Sequence, residues 1–225
     1  YVPSEIGIVL GAIQEMLGGV PIEFVPLAAA YQEALTGRMA VRDALVVDIG
    51  GLNTMMVVIK AGVLIECVSF PVGRDHVTQE ISRGLGVPFE SADETMDQYI
   101  KGVATEKTRA EIRSYLDQAA ETWNRCFYDS LNSIYHVGAL SGETFLCGGG
   151  AYLPEFQSIL RSKEWLKDFS YRDTPRVILL EGKSFFGGDT LGGFVQGRED
   201  AGLAAMVWYS QEHQTIIERA RFYEK

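Results

Sequence analysis

The stretch Ala44–Phe70, ALVVDIGGLNTMMVVIKAGVLIECVSF, constrains the fold more than any other part of the chain. An apolar run leads into an acid, Asp48, and then into the pair Gly50 and Gly51. A buried strand that ends in an acid and two glycines can bring backbone N–H groups up to an anion, because no side chain holds the ligand away. Thr54 to Ile59 is again apolar and β-branched, Ala61-Gly62 makes a second turn, and Val63 to Phe70 reads as a third strand. The whole predicts a β-meander with an acid, Asp48, at its first corner. On its own this corner is equally an ordinary Gly-Gly hairpin beside an aspartate.

A second glycine corner supports the phosphate reading. Glu143 to Cys147 predicts a short strand running into Gly148, Gly149 and Gly150, with a helix from Leu153 to Leu160. Strand, glycines, helix lets the backbone lie flat against a ligand with helix N–H groups aimed at it, although a triple glycine is also a simple flexible turn.

The remaining chain predicts mostly helix. Ile6, Val9, Leu10, Ile13, Met16 and Leu17 line one face of a helix capped by Ser4 and stopped at Gly18-Gly19. Ile22 to Val25 reads as a short strand, and a helix begins after Pro26 and runs to Gly37. Starting on an amphipathic helix without a leading strand, the sequence reads as the later part of something longer. Helices are expected at Asp75–Gly84 and Ser91–Lys101, and a long one at Thr105–Tyr135. The aromatic stripe of that long helix, with Trp123 and Phe127, is read as core packing. A strand at Val177–Leu180, a Gly-rich loop from Gly187 to Gly197 and a helix at Glu199–Glu212 close the chain.

Charge and cysteine content exclude several function classes. A formal net charge of −10, with no cluster of Lys and Arg, argues against gripping nucleic acid or an anionic membrane surface. Cys67, Cys126 and Cys147 are far apart and odd in number, so reduced core or near-core thiols are expected, and a disulfide framework is not. His76, His136 and His213 lack metal-ligand spacing and are expected at surface or packing positions.

Taken together, VVDIGG (Val46–Gly51), the stretch from Val72 through Gly73-Arg74-Asp75-His76-Val77-Thr78, and FLCGGGAYLPE (Phe145–Glu155) resemble the second half of actin-like ATPases, with the greatest similarity to the bacterial FtsA/PilM family. The resemblance implies an α/β fold of the actin-like, ribonuclease H-like type: a mixed five-stranded sheet of order 3-2-1-4-5, helices on both faces and an inserted helical subdomain. It implies that residues 1–42 end a preceding domain, 43–212 form ATPase domain II with a helical insertion at about 86–136, and 213–225 are a C-terminal tail. ATP or ADP with Mg²⁺ is the implied cofactor. Its phosphates would lie over Gly50, Gly51, Asn53 and Thr54, its adenosine against Gly148, Gly149 and Gly150, and its magnesium near Asp48 through water. Implied partners are proteins, a tubulin-like division protein or inner-membrane pilus components, with self-assembly into a polymer and no nucleic acid. A cytoplasmic place, peripheral at the inner face of the membrane, goes with these.

The sequence departs from the family pattern after the glycines. Leu52, Asn53 and Thr54 follow Gly51, and Met55 stands where an Asp or Asn is usual. Slow hydrolysis, or none, is therefore expected. A degenerate protein-binding module of this fold and a small-molecule kinase of the same superfold are the alternatives.

Overall fold

The structure, a computed structural model, describes residues 4–16, 18–19, 24–162, 168–186 and 193–223. Its centre is a five-stranded sheet built from β1 (Ala44–Ile49), β2 (Thr54–Lys60), β3 (Val63–Phe70), β4 (Glu143–Cys147) and β5 (Arg176–Leu179). The order is β3-β2-β1-β4-β5, as the resemblance implies. β1, β2 and β3 form an antiparallel meander, while β4 runs parallel to β1 and β5 parallel to β4. β1 is apolar almost throughout because helices cover both of its faces, so alternation would expose nothing to water.

On one face lie α3 (Arg74–Leu85), α4 (Phe89–Ile100), α5 (Glu106–Ser133) and α6 (Pro154–Arg161), which share a core with Leu45, Val47, Ile49, Met56 and Val58. Thr105 caps α5 by accepting the Thr108 N–H. The α5 stripe is core: Trp123 stacks on Phe127 and Phe156 and meets the edge of Phe70. On the opposite face α2 (Leu27–Met39) and α7 (Ala201–Tyr223) cover Ala44, Val46, Val57, Ile59, Phe145 and Cys147.

Three elements lie at the expected boundaries. Ala28, Ala30, Tyr31, Ala34 and Leu35 of α2, before the expected division at 42/43, are buried in the core of the second face. The helical region expected as an insertion is largely α5, whose apolar face is the lining of the sheet itself. α7 runs unbroken through the expected start of a tail at 213.

Smaller differences follow from packing. Ile22 lies outside the described residues and Phe24 and Val25 are irregular, while residues 187–192 of the Gly-rich loop are also outside them. α1 (Ser4–Met16) leaves Ile8, Val9, Ile13 and Met16 exposed. Cys67 is exposed rather than near-core, because β3 is an edge strand whose alternate residues face outward. No helix among the described residues is long and apolar enough to cross a membrane.

Candidate functional site

The two glycine corners meet. Asp48 pairs directly with Cys147 in the parallel β1–β4 register, so both chains leave the sheet side by side at its carboxyl end. Gly148 has a φ of +86°, and a Cβ there would collide with the Ile49 carbonyl and with Asp48 Oδ1. Only glycine fits, for both conformation and space.

The loop from Gly50 to Asn53 is a tight turn closed on itself and on α3. The Gly50 N–H donates to the Asn53 carbonyl at 2.9 Å, and the carbonyls of Gly50 and Gly51 accept from the N–H groups of Arg74 and Asp75 at 2.9 Å each. These contacts satisfy the first orphan donors of α3, whose N-cap Gly73 offers no side chain. A Cβ on Gly73 would collide with both carbonyls, which explains the glycine in the Gly73-Arg74-Asp75 stretch. The donors left at the corner are the N–H groups of the exposed residues Gly51, Leu52 and Asn53, which have no hydrogen-bond partner among the described residues.

Two expected phosphate contacts therefore change. Gly50 spends its N–H inside the turn, so it shapes the corner without donating to a ligand. Thr54 is fully buried; its hydroxyl donates to the Val72 carbonyl at 2.7 Å and accepts from Trp123 Nε1 at 2.8 Å. It faces the core as the first residue of β2.

At the second corner a 3₁₀ turn, Gly149–Tyr152, joins Gly148 to α6, whose N-cap is Leu153, where the sequence places the start of the helix. Gly148 donates its N–H to the Arg198 carbonyl, and a Cβ on Gly150 would collide with the Ile49 side chain. Gly149 is the open member: a Cβ there would meet only Arg74 Cδ at 3.7 Å. Arg198 stacks over the Tyr152 ring and donates to the Ala151 carbonyl at 3.0 Å, fixing the far side of the turn.

Charged groups missed in the sequence line this site. Arg74, part-buried beside Gly149, pairs with Asp93 at 2.7 Å and Asp97 at 2.8 Å on α4. The Asp75 carboxylate oxygens lie 3.1 and 3.2 Å from where a Gly51 Cβ would stand. Asp48 accepts the Tyr31 hydroxyl on Oδ2 at 2.8 Å. Burial raises the Asp48 carboxyl above its ordinary range, and the bond from Tyr31 pulls it partly back. Burial likewise pushes up the Tyr31 hydroxyl and the Cys147 thiol. The Gly73-Arg74-Asp75 stretch was visible in the sequence, but nothing local signals Tyr31, which reaches Asp48 across 17 residues.

A family model for cell division protein FtsA matches residues 45–194, two thirds of the chain. The chain belongs to the FtsA family. Among solved structures, a chain of a PilM–PilN type IV pilus biogenesis complex matches with a TM-score of 0.58 and 19% identity, covering 89% of this chain and 57% of that one. MreB5 of Spiroplasma citri bound to ADP matches with a TM-score of 0.58 and 15% identity, covering 97% of this chain and 68% of the other. The same protein bound to AMPPNP gives 0.55 and 13%, covering 98% and 68%. At these identities the likeness is one of fold, and the chain spans little more than half of the PilM–PilN relative. No curated protein sequence matches it significantly.

Proposed function

We propose that this FtsA-family chain binds ATP and ADP, with magnesium, at the paired glycine corners, and that the nucleotide switches self-assembly and protein-partner binding in bacterial cell division or pilus assembly. The observation that carries the reading is the adjacency of the corners. Asp48 and Cys147 are register neighbours, and the two loops that follow them carry the unpartnered N–H groups of Gly51, Leu52 and Asn53 on one side and the open Gly149 on the other. Structures of this fold with bound ADP and AMPPNP support it.

In this reading the loop N–H groups hold the phosphates, and the adenosine lies along Gly149 and Gly150. The donor set fits magnesium of the kind held mainly by water and phosphate oxygens. Asp48 offers one carboxylate whose second oxygen is fixed by Tyr31, and no group of three acids, histidines or cysteines among the described residues could enclose an ion. When bound, the ion would neutralise phosphate charge. Hydrolysis is slow, because Met55, the β2 partner of Asp48, replaces a polar side chain that could orient water. The partners proposed are a tubulin-like division protein or inner-membrane pilus components, at the inner face of the membrane, and not nucleic acid.

A second reading, a protein-binding module of this fold without nucleotide, is favoured by Leu52, 76% exposed at the tip of the loop. Calorimetric titration of the full-length protein with Mg-ATP decides between them. Gly149→Leu fills the open cradle with little backbone strain and is expected to abolish binding. No binding by the parent protein overturns the nucleotide reading.

A further inference from the structure

We infer that Tyr31 is a positioning residue for the Asp48 carboxylate, holding it in the orientation that a metal-bound nucleotide requires. The inference rests on the nucleotide reading above and adds a residue from α2 to that site.

Tyr31 is completely buried on the inward face of α2. Its ring packs in the core of the second sheet face, and a phenylalanine would fill that space equally well. The hydroxyl is what packing leaves unexplained. It lies where four elements converge: it donates to Asp48 Oδ2 of β1 at 2.8 Å and sits 3.3 Å from Cys147 Sγ of β4. Gly202 of α7 leaves room for it, since a Cβ there would stand 3.2 Å from the hydroxyl oxygen. Oδ1 of the same carboxylate lies against Gly148, at the junction of the two corners. A carboxylate at a strand end can rotate about two bonds. With Oδ2 tied from α2, Asp48 presents Oδ1 in one direction.

Magnesium demands near-octahedral geometry, so a misaimed carboxylate, or one that misplaces a bound water, weakens the metal-linked part of binding and spares the contacts made by backbone N–H groups. The ratio of ATP dissociation constants without and with magnesium isolates that part. A purely structural role for Tyr31 would move both constants together.

The experiment compares the full-length parent protein with Tyr31→Phe and Cys147→Ala, titrating ATP in EDTA and in Mg²⁺. In Tyr31→Phe the magnesium enhancement is expected to fall ~10-fold, the usual scale for loss of an outer-shell partner, with EDTA binding held within about twofold. Cys147→Ala, which leaves the Tyr31–Asp48 bond intact, is expected to keep the parent's enhancement. Equal weakening of both constants, or an unchanged ratio, overturns the inference. Should the parent bind no nucleotide, the nucleotide reading fails by itself. The ¹³Cγ resonance of Asp48 then decides whether the hydroxyl holds the carboxylate: it shifts in Tyr31→Phe, and with 3-fluorotyrosine at 31, if it does, and stays in place if it does not.

Discussion

Thr54→Val separates the two roles that position 54 could have. Family resemblance makes Thr54 a phosphate hydroxyl, whereas the structure buries it completely between the Val72 carbonyl and the Trp123 indole. Valine matches threonine in shape, so the substitution opens no cavity. It removes an acceptor and a donor at once, leaving Trp123 Nε1 and the Val72 carbonyl without this partner in a dry core. Each hydrogen bond is worth ~1 kcal/mol net and each stranded polar group costs ~1–3 kcal/mol, so the expected destabilisation is about 2–4 kcal/mol. For a chain of this length that is a fall in Tm of roughly 5–15 °C.

Urea unfolding followed by tryptophan fluorescence measures this directly, since Trp123 is one of the groups perturbed. Thr54→Ser keeps the hydroxyl and loses one methyl, and is expected to cost about 1 kcal/mol. Nucleotide affinity, measured well below the lowered Tm, is expected to stay at the parent value in both variants. A Thr54→Val protein as stable as the parent but deficient in nucleotide binding would refute the reasoning and return Thr54 to the phosphate site.

Gly73→Ala is expected to cost about 1–3 kcal/mol by overpacking and to loosen the corner, because the added methyl collides with the Gly50 and Gly51 carbonyls; chemical denaturation measures it. Asp48→Asn is expected to raise Tm near pH 7. Burial raises the folded carboxyl's pKa, so its favourable contribution is complete below the unfolded value and is lost as pH rises through the folded one. The gain over the parent should therefore shrink toward acid pH, which a pH series of thermal melts reads. Arg74→Ala removes two part-exposed ion pairs and is expected to cost at most about 1 kcal/mol globally. It should nonetheless speed amide exchange in α4, visible by hydrogen–deuterium exchange.

The sheet was legible because its signals are local and redundant. Three β-rich runs with short turns fix the meander, and the run of Ala44–Val47 without polar alternation marks a strand covered on both faces. The glycine corners were legible as glycines, but not as donors. Which N–H of Gly50, Gly51, Leu52 and Asn53 is free depends on the turn closing through Asn53 and on α3 docking against the carbonyls, and neither is written in residue type. Thr54 was misplaced for a similar reason: a hydroxyl one residue beyond a turn faces ligand or core according to where the strand's register begins. Tyr31 was invisible, because its contact with Asp48 exists only once α2 lies on the sheet.

On the nucleotide proposal, the same division lets the corner carry an unusual loop sequence. Its usable donors are backbone groups of Gly51, Leu52 and Asn53, so replacing the customary residues there leaves the hydrogen-bonding surface in place. The acids are another matter. Asp48 stands at the end of β1, Asp75 lies close beside Gly51, and Arg74 is already engaged by Asp93 and Asp97. A bare polyphosphate brought to this corner would meet carboxylates at short range, against which three neutral N–H groups are a weak counterweight. A divalent cation reverses the sign of that interaction. Nucleotide affinity at this site should accordingly depend steeply on magnesium, and more so than at a site where a lysine supplies the countercharge.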